Sequence, residues 1–173
     1  MVKLKGQEKL FLLLFTLWYL LSVQFVSQEL IQLERDFISE NNVFKTKEIM
    51  LVFLNFVIMF FSILFLLFQG FIYRFILLLF KSEKYPSVLT SFYYLIIGYL
   101  PFSLTIIAVN FIDTLNLFAI ATNLYFKVGS MVIVNLVYMF IVVKKGFIEY
   151  KKALVMWIFL MLINLLVLLI NLS

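Results

Sequence analysis

The residues able to do chemistry in this sequence are few, and most stand inside long apolar runs. Asn55, Asn110, Asn135 and Asn164 each interrupt such a run, while Glu48 and Asp113 stand at run ends. The chain has no cysteine and no histidine. That removes thiol nucleophiles, imidazole bases, disulfides and the usual zinc ligand sets together. Catalysis would fall to Asp, Glu, Lys, Ser or Tyr, and no acid or base stands near the centre of an apolar run. In "KVGSM", Ser130 follows Gly129 in the manner of a serine nucleophile. No histidine exists to activate it, and Lys127 is too close in sequence to serve as an obvious dyad partner. There are no carboxylates at metal-ligand spacing and no G-x-x-x-x-G-K-[ST] phosphate loop. The expectation is therefore no catalytic site, no metal and no cofactor.

A coupled carrier would need other features: a buried carboxylate, unwound helices or an inverted repeat. None is visible in the sequence. The asparagines read instead as hydrogen-bonding glue between helices, worth roughly 0.5–2 kcal/mol each.

A lipid bilayer must position these residues. Of 173 residues 65% are hydrophobic and 13% charged, whereas a soluble domain carries about 25% charged residues. A crossing helix needs about 20 apolar residues. Five segments qualify: Leu10–Val26, Ile49–Phe68, Val88–Ile112, Leu124–Val143 and Ala153–Leu172. Phe71–Phe80 is apolar but short, and Gly70 and Arg74 set it off from the second span, so it reads as a helical continuation or an interfacial helix. The expected fold is all-α: one integral membrane domain over residues 1–173, built as a bundle of five transmembrane helices. The basic start and apolar run could be a signal peptide, but "LSVQFVSQE" is a poor cleavage site. The first span is expected to be retained.

Charge orients the bundle. Ten basic residues (Lys3, Lys5, Lys9, Arg74, Lys81, Lys84, Lys144, Lys145, Lys151 and Lys152) fall on one side, against Arg35, Lys45, Lys47 and Lys127 on the other. Basic residues are retained on the cytoplasmic side. The N-terminus is therefore expected to be cytoplasmic and Ser173 extracellular. With acids included, the inner side sums to +7 and the outer to −2. The overall excess of +5 is thus matched to an anionic leaflet, and no nucleic acid need be invoked.

The one sizeable connection, residues 27–48, carries Leu30, Leu33, Phe37 and Ile38 at helical spacing among Glu29, Glu34 and Asp36. It reads as an amphipathic outer helix capped by Ser27. Lys127, just inside the fourth span, is expected to snorkel to the outer headgroups or to pair with Asp113.

In "SFYYLIIGYLPFSL" the proline lies inside the third span. Pro101 removes one backbone hydrogen bond and presses on the Ile97 carbonyl, which predicts a kink. Ser103, Thr105 and Tyr94 are candidate partners for the freed carbonyl. Tyr94, Gly98, Pro101 and Thr105 share one helical face, expected to meet protein.

At these residues the chain resembles the bacterial Yip-type (Yip domain) five-span membrane proteins. The likeness rests on "FKSEKYPSVLTSFYYLIIGYLPFSL", with Tyr94 a short way before Pro101, and on "GFIEYKKALVMWIF", where Lys152-Ala153 opens the last span. It covers residues 50–170 and departs at "KSEKYPS", where the family is glycine-rich. Eukaryotic relatives carry a long cytoplasmic region before the first span, so a role in Rab-linked vesicle traffic is not expected. The Phe-, Ile-, Asn- and Lys-heavy composition suggests the plasma membrane of a low-GC Gram-positive bacterium.

The resemblance implies a non-catalytic accessory subunit that stabilises or regulates an ABC-type exporter, its permease and ATPase, in export of or resistance to toxic peptides. A self-sufficient small permease or channel, and a bacteriocin-type immunity protein, are the alternatives. Two surfaces are expected to meet partners or pack: Tyr94, Gly98 and Pro101, and the loop residues Lys144, Lys145, Phe147, Tyr150, Lys151 and Lys152. The loop reads as a positive-inside anchor or as a contact for a partner or an anionic lipid.

Overall fold

The computed structural model describes residues 2–33, 47–80, 84–112 and 116–170. Among these described residues six helices follow in order: α1 Gly6–Leu33, α2 Lys47–Leu79, α3 Val88–Asn110, α4 Leu117–Thr122, α5 Leu124–Lys144 and α6 Tyr150–Ile170. All but the six-residue α4 are long and apolar enough to cross a membrane. The chain is an all-α, multi-pass membrane bundle. Among the described residues the one strand-like pairing is an isolated parallel bridge between Val2 and Pro86.

Helix α3 is the central element. Twelve of its 23 residues are buried, and it packs against α1, α2, α4 and α5. Leu95 and Ile96 on α3 join Leu66, Tyr73 and Leu77 of α2, Val134 and Tyr138 of α5, and Met156 and Leu160 of α6 in one core. A smaller cluster of Ile106, Val109 and Leu117 closes the far end with Phe25 and Phe126. The remaining helix faces carry exposed Leu, Val, Ile and Phe. Lipid satisfies such faces as well as a protein core would, so they need no partner to be stable.

Helix starts are set by short polar side chains. Ser87 Oγ accepts from Thr90 N at 3.1 Å, and Asn116 Oδ1 accepts from Ala119 N at 2.8 Å. Asn123 Oδ1 does the same for Tyr125 N at 2.8 Å, satisfying donors that an isolated helix start leaves free. The end of α5 is a Schellman turn. Gly146 has φ +68; its N–H donates to Val143 O at 2.9 Å, and Phe147 N–H donates to Val142 O at 3.0 Å. This reversal turns Phe147 and Ile148 inward while Lys144 and Lys145 stay out.

Several expectations change. Of the two readings of Phe71–Phe80 the helical continuation is the one that forms, α2 running unbroken through Gly70 and Arg74 to Leu79. Gly70 is a close-approach site: a Cβ there would stand 3.2 Å from the backbone nitrogen of Phe92. Arg74 reaches the turn after α2, donating from Nε to Pro86 O at 3.0 Å and standing over the Tyr85 ring. Ser27 is no cap, because α1 continues six residues beyond it. Its hydroxyl lies 2.7 Å from Asn55 Oδ1 on α2 and 2.9 Å from Gln24 O. The rest of the expected outer helix, residues 34–46, lies outside the described residues, as does Asp113, the proposed partner of Lys127. Helix α4 was not anticipated.

Candidate functional site

The polar side chains at membrane depth converge on one hydroxyl. Tyr73, four residues after Gln69 on α2, occupies the same helix face and is buried. Its Oη accepts from Gln69 Nε2 at 3.2 Å and from Asn164 Nδ2 of α6 at 2.9 Å. It donates its own proton to Asn135 Oδ1 of α5 at 2.5 Å. Two acceptor lone pairs and one donor exhaust a phenol, so Tyr73 is saturated. Asn135 Nδ2 donates back to Met131 O at 2.8 Å and lies 3.5 Å from Met161 Sδ. Tyr99 of α3 completes the group by donating to Gln69 Oε1 at 3.2 Å. Four helices are thereby tied through neutral amides and phenols. These groups exchange hydrogen bonds with one another, and leaving any of them unpaired in so apolar an interior is costly.

An aromatic column leads from this cluster to the lysine-bearing end. Tyr73 meets Tyr138 edge-on at 5.0 Å between ring centroids, Tyr138 meets Tyr94 at 6.4 Å, and Tyr94 meets Phe147 at 6.4 Å. The Tyr138 hydroxyl is held 3.1 Å from Ser91 Oγ.

The same end collects three chain segments. Val2 N donates to Tyr85 O and Ser87 N to Val2 O, each at 2.9 Å. Leu4 is buried behind them. Glu8 accepts from Lys145 Nζ at 3.4 Å, joining the start of α1 to the turn after α5. Lys152 pairs with Glu149 at 3.9 Å.

The sequence-named residues divide in an unexpected way. Tyr94 and Phe147 are buried against each other, so Phe147 is core and not displayed surface. Gly98 is buried against Val134. Lys144, Lys145, Tyr150, Lys151 and Lys152 are exposed. Pro101 and Thr105 face outward, contrary to the expectation that they share a protein-facing side with Tyr94 and Gly98. Beyond the proline the buried positions are Ser103, Ile106, Ile107 and Val109. Before the proline the helix is buried nearly all round, from Thr90 to Ile96, and beyond it burial narrows to this one face. Thr105 Oγ1 donates to Pro101 O at 2.9 Å, and not to the carbonyl that the proline frees. Ser130 Oγ is spent on Lys127 O at 2.8 Å.

Of the four asparagines, Asn135 and Asn164 belong to the cluster, Asn55 holds Ser27, and Asn110 is exposed at the end of α3. Gln69, Tyr73, Tyr99 and Tyr138 were missed as site residues. The readable signal was the four-residue spacing of Gln69 and Tyr73 within an otherwise apolar run.

Comparison with protein-family models, curated proteins and solved structures finds no match for this chain in any of the three.

Proposed function

We propose that this chain is a non-catalytic multi-pass subunit of a bacterial plasma membrane. In this reading its N-terminus is cytoplasmic and Ser173 extracellular. It assembles with the permease and ATPase of an ABC-type exporter and stabilises or regulates them, in export of or resistance to toxic peptides. The saturated Tyr73 hydroxyl carries the non-catalytic part of this reading. The polar groups at membrane depth bond to one another across four helices, which is the work of a packing lock. The orientation is supported by the positive-inside bias, since one end gathers the N-terminal segment, the turn after α2 and the turn after α5, with their lysines.

The exporter as partner follows from the resemblance to Yip-type proteins. The outward stripe of Pro101, Leu104, Thr105 and Ala108 offers a mostly small-residue face on which another helix can approach closely. Tagged chain extracted in mild detergent is expected to bring an ATPase and a permease with it. Consistent recovery of the chain alone overturns the assignment. Pro101→Ala is expected to leave the bundle folded and to reduce that recovery.

One observation favours a second reading, a self-sufficient permease: polar residues of α2, α3, α5 and α6 meet at a single depth. Solute flux into liposomes holding only this chain, altered by substitution of Asn135 or Asn164, would establish it.

A further inference from the structure

Helices α5 and α6 leave an open apolar cleft between them, of about 420 Å³. Leu136, Phe140 and Val143 line one wall, and Leu154, Trp157 and Ile158 line the other, with Tyr150 at the lysine-bearing end. From Leu136 to Val143 the wall rises about 10 Å at 1.5 Å per residue. One leaflet of the hydrocarbon core is about 15 Å deep. The cleft therefore follows most of the depth that a single acyl chain occupies.

Three further observations concern its polar groups. Lys145 and Lys152 are engaged by Glu8 and Glu149, whereas Lys144 and Lys151 have no carboxylate partner among the described residues. Lys144 folds back so that its Nζ stands 5.8 Å from the centroid of Phe140, a ring that lines the cleft. Lys144 and Lys151 each directly follow a residue that lines the cleft, Val143 and Tyr150. An apolar slot with ammonium groups that lack a carboxylate partner next to its end complements a molecule with an acidic head and a hydrocarbon tail. Simple snorkelling of lysines would not need the slot.

We propose that the α5–α6 cleft is a binding site for one anionic diacyl phospholipid of the lysine-side leaflet. An acyl chain lies along Phe140 and Leu154. The phosphate faces Lys144 and Lys151. The site stands independently of the exporter assignment.

Trp157 supplies the probe. The other tryptophan, Trp18, is removed as Trp18→Phe, and the full chain is placed in phosphatidylcholine vesicles. A minor fraction of either phosphatidylglycerol or phosphatidylcholine carries brominated acyl chains that quench indole fluorescence. At equal mole fraction, brominated phosphatidylglycerol is expected to occupy the site at least about fivefold more than brominated phosphatidylcholine. That is the preference one lysine close to an anionic lipid supplies. Lys144→Gln with Lys151→Gln is expected to abolish the preference; both side chains are exposed, so the bundle survives the change. Equal quenching by both lipids, or a preference that persists in the double variant, overturns the proposal. Absence of quenching by either lipid, the outcome if a partner helix or a second copy fills the cleft, also overturns it. Loss of the preference in excess inorganic phosphate would assign the lysines to a free anion instead.

Discussion

Gly98 and Val134 bring α3 and α5 into backbone contact. A Cβ placed on residue 98 would stand 3.1 Å from both the Cα and the carbonyl oxygen of Val134. Backbone cannot swing aside as a side-chain tip can, so even one methyl must force the two helices apart. Gly98→Ala is expected to destabilise the bundle by about 1–3 kcal/mol, the usual cost of overpacking. Gly129→Ala on α5, where a Cβ meets nothing within 4 Å, is the internal control and should leave stability unchanged or slightly raised. Thermal unfolding of the two variants side by side in one detergent reads the difference.

Tyr73→Phe keeps the ring against Tyr138 and removes only the hydroxyl that three side chains share. The expected loss is about 0.5–2 kcal/mol, the range for interhelical hydrogen bonds in membranes. In a double-mutant cycle with Asn164→Leu, the two losses should sum to more than the double variant shows, because both remove the same bond. Additive losses would place Asn164 outside the cluster.

Phe147 and Tyr150 look alike in sequence, two aromatics in one lysine-rich loop. Phe147 is 4% exposed and Tyr150 73%. Phe147→Ala should cost about 3–5 kcal/mol, as truncation of a buried phenylalanine does. Tyr150→Ala should stay within about 0.5 kcal/mol. Protease resistance of the loop in detergent gives a second readout, lost in the first variant and kept in the second.

That pair also shows where the sequence was legible and where it was not. Apolar length is a property of the chain read in one dimension, so the five crossing segments stand out before any packing is known. The caps at Asn116 and Asn123 and the Gly146 turn were equally local. "VVKKGF" contains the basic last turn, the glycine and the following apolar residue of a helix stop, and that pattern alone argues for an inward Phe147.

Which side of a helix meets which neighbour is not local. Tyr94, Gly98, Pro101 and Thr105 do share an ideal helical face, but Val134 covers it at Gly98 while Pro101 and Thr105 stand exposed, and past the proline burial narrows to Ser103, Ile106, Ile107 and Val109. Tyr73 was passed over because a tyrosine in a phenylalanine-rich run reads as packing until its partners on two other helices are known. The start of the chain reads as charge and as a possible signal peptide, whereas Val2 and Leu4 are structural members of the lysine-bearing end.

The bonds at Tyr73 have an order in time. Asn135 lies 62 positions later in the chain and Asn164 lies 91 later. While the protein is being made, α2 enters the bilayer with Gln69 as the neighbour available to that hydroxyl, and the remaining partners arrive with the fourth and fifth crossings. Until α6 is inserted the newborn chain thus carries an incompletely bonded hydroxyl at Tyr73, and truncation before α6 would leave it one partner short in an apolar interior, where an unmade bond is costly.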